Sequence, residues 1–336
     1  MPVYNVENYI EKCIESLLPE ITSETELLII DDCSPDNSID LIRKKIDGYD
    51  NIHTIKRITN GGLSAARNTG IDNSKGKYCW FIDSDDYILP GAINKILEIL
   101  KSTIVDLIMF DHIRIDEDNK IIYKSKLLNS CVYISSTEDK LNIIINYLRN
   151  DYGFEVWRKI YSLAIIKEKN IRFEPNKEIF AEDICFFIYY INHCKKIITK
   201  NYVLYCYLIR NSSIMGKKIE PKINEIVNLC YKVWTYDAAK DLKQYQNLIM
   251  SSLLQIELTC DSEKNYIKYI IKIEKKSFLL EMCSKKYLNF LIRYNGYGKK
   301  STFIQICEAA IFEHLIKGNK KRANIYQKIL NIINRC

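Results

Sequence analysis

Along the first hundred residues the apolar positions follow two periods. Val6, Tyr9, Ile10, Cys13, Ile14, Leu17 and Leu18 recur three and four apart, which predicts an amphipathic helix over 7–18. Leu27-Leu28-Ile29-Ile30 is a continuous apolar run, the pattern of a short strand buried on both faces. The same reasoning predicts helices over 38–46, 64–72 and 92–100, and strands over 52–55 and 78–82. Helices alternating with strands imply an α/β fold built on a mainly parallel sheet covered on both sides. Farther on only helical spacing remains, over 223–234, 242–258, 266–276, 278–294, 303–317 and 323–333. Met215-Gly216-Lys217-Lys218 reads as a hinge, dividing the chain into an α/β domain over 1–216 and an α-helical domain over 217–336.

Composition sharpens this picture in three places. Glycine is scarce, 11 of 336 residues, against a usual share of about 7%. Five of the eleven (Gly61, Gly62, Gly70, Gly76, Gly91) fall between positions 61 and 91, where backbone freedom or close approach is therefore expected. From Lys217 onward there are 22 Lys/Arg and 11 Asp/Glu, so a chain of net +7 keeps its basic character in its last third. Two readings of that third stand open. One is a Lys-rich solvated helical surface; the other is a basic amphipathic face on the inner membrane leaflet. Nucleic-acid binding is not expected, because no motif combines aromatic with basic residues. The twelve cysteines show no Cys-x-x-Cys spacing, which argues against a structural zinc or a disulfide framework. No apolar run reaches the ~18 residues of a membrane span, and no signal peptide opens the chain. A cytoplasmic protein is expected.

Chemistry gathers where the predicted strands end. Ile30 is followed by Asp31-Asp32, and Ile82 by Asp83-Ser84-Asp85-Asp86. Ligands bind at the carboxyl ends of strands in such sheets, and close carboxylates repel unless a cation lies between them. Helix capping, by Asp86 near Pro90 and by Asp36 or Ser38 after Asp32, accounts for one acid per strand end and leaves the others over. Between the acid clusters, Thr59-Asn60-Gly61-Gly62-Leu63-Ser64-Ala65-Ala66-Arg67-Asn68-Thr69-Gly70 leads two glycines into a helix, with Arg67 one turn inside. Exposed amides at a helix start beside an arginine suit phosphate or sugar oxygens.

These segments, in order, resemble the inverting glycosyltransferases of family 2, which have the GT-A nucleotide-sugar fold. The resemblance rests on Pro2-Val3-Tyr4-Asn5, Asp31-Asp32-Cys33-Ser34-Pro35-Asp36, Asn60-x-Gly62-Leu63-Ser64-x-Ala66-Arg67-Asn68-x-Gly70 and Trp80-Phe81-Ile82-Asp83-Ser84-Asp85-Asp86. It implies that Asp32 meets the uracil edge of a UDP-sugar, with Pro2 and Tyr4 bordering the base and Asn60 on the donor side. Asp83 then faces the ribose or the sugar, Asp85 holds Mn²⁺ or Mg²⁺ on the diphosphate, and Arg67 supports the donor, unless it forms only a surface salt bridge. Ala181-Glu182-Asp183-Ile184 resembles the family's acidic pair before an apolar helix. There the resemblance makes Asp183 the base, with Glu182 beside the acceptor; an N-cap role for Asp183 is compatible with this. Trp157 and Lys159, in Trp157-Arg158-Lys159-Ile160-Tyr161, resemble an acceptor-side stretch, although Trp157 would serve equally as a core residue. Arg210 is implied to reach the diphosphate when a loop closes.

The implied activity is metal-dependent transfer of a hexosyl or related group, with inversion, from a nucleotide-sugar to a glycan or lipid-linked acceptor. One departure stands against it. Relatives carry an apolar strand before Pro-x-Tyr-Asn, whereas only Met1 precedes Pro2. A gap in the sheet is therefore expected, arising from a mis-called start, a truncation or a decayed protein. The last of these leaves a catalytically inactive GT-A-like scaffold as the alternative function.

Overall fold

A computed structural model of the protein describes residues 1–148, 151–179, 181–210, 228–229, 231–233 and 235–236. The chain divides into two units, Met1–Ile219 and Glu220–Cys336. In the second unit, described residues 228–229, 231–233 and 235 are helical, with Leu229 and Val233 buried four apart. The hinge at 215–218, the remaining C-terminal helices and their basic surface lie outside the described residues.

The first unit opens with β1 (Pro2–Val3), α1 (Ile10–Leu17), β2 (Leu27–Asp31), α2 (Ser38–Lys45), β3 (Ile52–Lys56) and α3 (Leu63–Asn73). β1, β2 and β3 form a parallel sheet in that order. α1 buries Ile10, Cys13, Ile14 and Leu17, the stripe expected from their spacing, against a core that includes Val3, Ile29 and Ile42. With so little chain before it, β1 pairs only with Ile30 and Asp31 at the end of β2, and among the described residues it pairs with no strand of the second sheet. The Met1 nitrogen donates to the Leu28 carbonyl at 2.8 Å, Ile30 N–H to the Met1 carbonyl at 2.8 Å, and Asp32 N–H to the Val3 carbonyl at 3.1 Å. Residues 1–3 thus pair along the strand whose end carries Asp31 and Asp32.

The chain continues through β4 (Tyr78–Trp80), β5 (Tyr87–Ile88), α4 (Ala92–Ser102), β6 (Leu107–Ile115), β7 (Ile121–Lys124), β8 (Ser130–Tyr133) and α5 (Thr137–Leu148). Then follow β9 (Lys159–Ser162), α6 (Leu163–Glu168), α7 (Glu182–Ile191) and β10 (Lys196–Leu208). A second sheet runs β4-β9-β6-β10-β5, with β7 beside β6 and β8 beside β10. Parallel pairing is confined to the first sheet and to β6–β10; every other ladder is antiparallel. The fold is α/β as expected, but mixed rather than mainly parallel: β6 and β7 form a direct hairpin, and the β4–β9, β6–β9, β5–β10 and β8–β10 pairs run antiparallel although helices intervene between them in the chain. The predicted strand over 78–82 stops at Trp80. Phe81 and Ile82 stay buried but leave the ladder and carry the following acids to the edge of the sheet.

Candidate active site

The acids at the two strand ends have separate partners. At the end of β2, Asp31 accepts from Ser34 N–H, while Asp32 accepts from the N–H groups of Gly61 (3.0 Å) and Gly62 (2.8 Å) and forms an ion pair with Arg57, Nε lying 3.3 Å away. The Asn60 side-chain amide donates to the Asp32 carbonyl at 3.1 Å. Asp32 therefore anchors the glycine pair across 29 and 30 residues of sequence. The glycines are needed there. Gly62 has φ +83°, and a Cβ on Gly61 would lie 2.6 Å from the Arg57 guanidinium and 2.9 Å from Ala65 Cβ.

After β4 the cluster splits three ways. Asp83 pairs with Arg67 at 2.9 Å, and Asp85 pairs with Arg210. Asp86 accepts from the Tyr205 hydroxyl and Leu208 N–H, both at 2.9 Å. Burial, then the charges of Asp85 and Asp83, raise Asp86 well above the usual carboxylate range, so its place is structural. It does not cap α4. Glu20 does that, accepting from Gly91 N–H at 2.6 Å and Ile93 N–H at 3.2 Å. Asp36 does take part in the start of α2, accepting from Ser38 N–H at 3.1 Å. Asp85 is also raised, by burial and then by repulsion from Asp83, with Arg210 opposing.

Arg67 is the centre of the site. Its guanidinium is buried, 3% exposed, so the surface salt bridge weighed above is not what forms. Besides Asp83 it reaches Glu182 at 3.0 Å and Asp183 at 2.8 Å. Burial disfavours its charge, but the attraction of Asp83, Asp183 and Glu182 outweighs that and keeps it ionised. α7 begins behind Ala181 in the left-handed conformation (φ +59°), which delivers Glu182 and Asp183 in the first turn of a helix buried along the rest of its length. Asp183 also accepts from Val156 N–H at 3.2 Å. Its pKa rises to about 7, chiefly through burial; Glu182 and Asp83 add to the rise, and Arg67 opposes it. A carboxylate poised near neutrality suits proton abstraction.

Two acceptor-side expectations are corrected. Trp157 is 3% exposed and stacks on Tyr205 (4.4 Å) and Tyr207 (5.6 Å), so it is a core residue, not a sugar platform. Trp157→Ala is accordingly expected to destabilise the protein by about 3–5 kcal/mol, read as a lower urea midpoint. Lys159 is wholly buried and contacts backbone carbonyls, out of reach of an acceptor. Tyr4 lies 49% exposed just past β1, whereas Pro2 is buried beside Ile30. Arg210 packs over the Tyr9 ring at 4.7 Å while pairing with Asp85. Three participants carried no sequence signal. Tyr205 links Asp83 N–H to Asp86. Asn176 accepts from Ser64 N–H at the start of α3 at 2.7 Å, and Val156 holds Asp183. Each acts across 27 or more residues, beyond any local pattern.

The donor chemistry for a cation is all oxygen. Among the described residues, no three His, Cys, Asp or Glu side chains come together to hold a metal on their own. Asp85, held against a guanidinium, fits a hard divalent ion that takes its remaining ligands from a diphosphate and water.

An α/β domain with a small parallel sheet, acids at the ends of β2 and β4, and a buried carboxylate across from them defines a glycosyltransferase of the GT-A type. The Glycosyl transferase family 2 model matches residues 1–190, and the chain belongs to that family. It is 27% identical over 302 residues to the glycosyltransferase GlyA of Streptococcus pneumoniae, covering 85% of this chain and 41% of GlyA. It is 29% identical over 214 residues to the poly(ribitol-phosphate) beta-glucosyltransferase of Bacillus spizizenii, covering 62% of this chain and 32% of that protein. The chain therefore spans less than half the length of either relative. In fold it is similar to residues 1–349 of S. aureus TarS, solved with UDP-GlcNAc, at 18% identity and a TM-score of 0.66, covering 97% of this chain and 90% of that one. Among the described residues no helix is long and apolar enough to cross a membrane.

Proposed function

We propose that this glycosyltransferase moves a sugar from a UDP-sugar to a hydroxyl of a surface glycan or lipid-linked acceptor, by single displacement with inversion. The observation that carries the reading is the Arg67 bridge, which holds the donor-side acid Asp83 and the acceptor-side pair Glu182–Asp183 around one guanidinium. Asp183 takes the proton of the attacking hydroxyl, which needs a base on the face opposite the leaving group. Glu182 and Arg67 orient that carboxylate. Asp83 approaches the ribose or the sugar, and Arg210 turns from Asp85 to the diphosphate. Mn²⁺ or Mg²⁺ bound at Asp85 would neutralise the charge that develops on the departing diphosphate. Pro2, Tyr4 and the Asp32–Asn60 corner border the nucleobase. A carboxylate offers about four acceptor positions, so a base N–H adds to the two backbone N–H donors on Asp32. TarS bound to UDP-GlcNAc supports the choice of UDP. Against the inactive-scaffold alternative stands the pairing of residues 1–3 with the end of β2 that carries Asp31 and Asp32. A cytoplasmic enzyme at the inner membrane face, with 217–336 as a basic helical domain, completes the proposal.

The test is hydrolysis and transfer across a panel of UDP- and GDP-sugars with Mn²⁺. Activity should disappear with chelator and return with Mn²⁺, and Asp85→Ala should lower it by at least about 10–100-fold, the range seen when the surroundings of a metal site are disturbed. Turnover of no donor at any metal concentration would overturn the reading.

A further inference from the structure

Lys159 carries an ammonium group that the reaction above does not use. It has no solvent exposure, and its Nζ donates to the carbonyl oxygens of Gly153 at 2.6 Å and Glu155 at 2.7 Å. The rings of Tyr147 and Phe187 lie 5.4 and 5.5 Å away. Burying an ammonium in such surroundings is expensive unless its donors are satisfied. Burial and the neighbouring Arg158 push Lys159 down to about 7, while Glu155 and Asp183 pull the other way.

What the ammonium holds is a short stretch of backbone. Between its two carbonyl contacts, the Phe154 carbonyl accepts from the Tyr147 hydroxyl at 3.0 Å, and that hydroxyl also reaches the Asp183 carbonyl at 3.3 Å. Three consecutive carbonyls, 153 to 155, are thus each fixed by a buried side chain. The next backbone group is the Val156 N–H that donates to Asp183 Oδ2. Gly153 opens the stretch with φ +70°, and a Cβ there would collide with the Arg158 guanidinium and the Glu155 carboxylate.

We propose that Lys159 is a positioning residue for the transfer reaction: by clamping carbonyls 153 and 155 it keeps Val156 N–H aimed at Asp183 and so sets the orientation of the base. The inference rests on the reading of Asp183 as that base. The charged and titratable groups around the carboxylate are Arg67 from α3, Asp83 beyond β4, Glu182 beside it, and Tyr161 and Lys159 from β9. Around Lys159 they are Arg158, Glu155, Asp183 and Tyr147. The Val156 N–H and the ammonium both favour ionised Asp183, so losing either raises the pH at which the base becomes active.

The experiment compares wild type, Lys159→Met, Val156→Pro and Asp183→Asn. It follows hydrolysis of the fastest donor among UDP-glucose, UDP-galactose, UDP-GlcNAc and UDP-GalNAc with Mn²⁺, as a function of pH. Methionine keeps the length of the side chain and removes its donors. Proline removes the Val156 N–H and exchanges a buried isopropyl group for an apolar ring, at the first position of a tight turn that follows the extended Glu155, a place proline accepts. Both variants are expected to lower kcat by about 10²-fold, the scale of a slightly misplaced catalytic group, with donor KM within about two-fold, and to shift the acidic limb of the profile to higher pH. Val156→Pro reads the same link if Lys159→Met does not fold. Unchanged kcat and an unmoved acidic limb in the folded variants, with only a lower melting temperature, would make Lys159 a purely structural residue and overturn the inference alone. A wild-type rate in Asp183→Asn, or no hydrolysis of any donor by wild type, would remove the base assignment and this inference with it.

Discussion

Asp183→Asn is expected to lower transfer by about 10²–10⁴-fold, the usual contribution of a general base, while donor affinity stays within a few-fold. Asparagine fills the same space, but its single oxygen can accept from only one of the two donors that Asp183 satisfies, Arg67 and Val156 N–H, and it cannot take a proton. Wild-type activity should rise with pH through about 7, where burial and the neighbouring acids have placed this carboxyl, and the variant's residual rate should lack that limb. The sign for stability is opposite. A carboxyl whose native pKa lies above its unfolded value of about 4 binds more protons folded than unfolded between the two values. Its contribution to stability is therefore complete below about 4 and lost as pH rises toward 7. Asp183→Asn should then gain stability relative to wild type at pH 8 and lose that advantage at pH 4. Rates, calorimetric donor binding and urea midpoints at the two pH values check all three statements; a rate within ten-fold of wild type would remove Asp183 from its role.

Arg67→Met should have the largest effect on stability. The guanidinium is the shared counter-charge of Asp83, Glu182 and Asp183, at 2.9, 3.0 and 2.8 Å. Removing one partner of a buried ionic cluster leaves uncompensated charge and costs about 3–5 kcal/mol. Without Arg67, Asp183 loses the charge that opposes the rise of its pKa, so the penalty should be greatest at pH 8 and shrink toward pH 5 as that carboxyl protonates. Arg67→Lys should recover only part of the loss, because one ammonium cannot present the planar fork that meets three carboxylates. Urea unfolding at both pH values reads the effect. A destabilisation of less than about 1 kcal/mol, or one independent of pH, would mean that the cluster is not the electrostatic unit described. Activity should fall far more than stability in Asp183→Asn and together with it in Arg67→Met, which separates the two roles.

Several elements were legible in the chain because their causes are local. The stripe Ile10, Cys13, Ile14, Leu17 is visible at any length of sequence that spans two turns, and α1 buries those four residues. Leu27 to Ile30 read as a buried strand and form one. The ends were less visible. The strand over 78–82 ends at Trp80, because the next two residues follow the demands of the acid cluster and not of the ladder. Strand direction was misread for the second sheet, since an apolar run carries no mark of whether its neighbour will be parallel or reversed. Glycine's concentration between 61 and 91 did point to the site: Gly61 and Gly62 give Asp32 its N–H partners, and Gly62 alone among the residues of that turn needs positive φ.

By itself the sequence determined the kind of chemistry. Oxygen acids at strand ends, a glycine-led helix with Arg67 inside, and an acidic pair before an apolar helix are statements about residue type and order, and these survive any arrangement of the fold. Only the tertiary structure decided which acids act together. It joined Asp83 to Asp183 through Arg67 over a hundred residues, withdrew Asp86 to Tyr205 and Asp32 to the glycine loop, and moved Trp157 and Lys159 from the acceptor to the interior. The reason is physical. Whether a carboxylate is a base, a ligand or an anchor depends on its burial and on the charges within a few ångströms, and both are created by contacts between segments far apart in the chain.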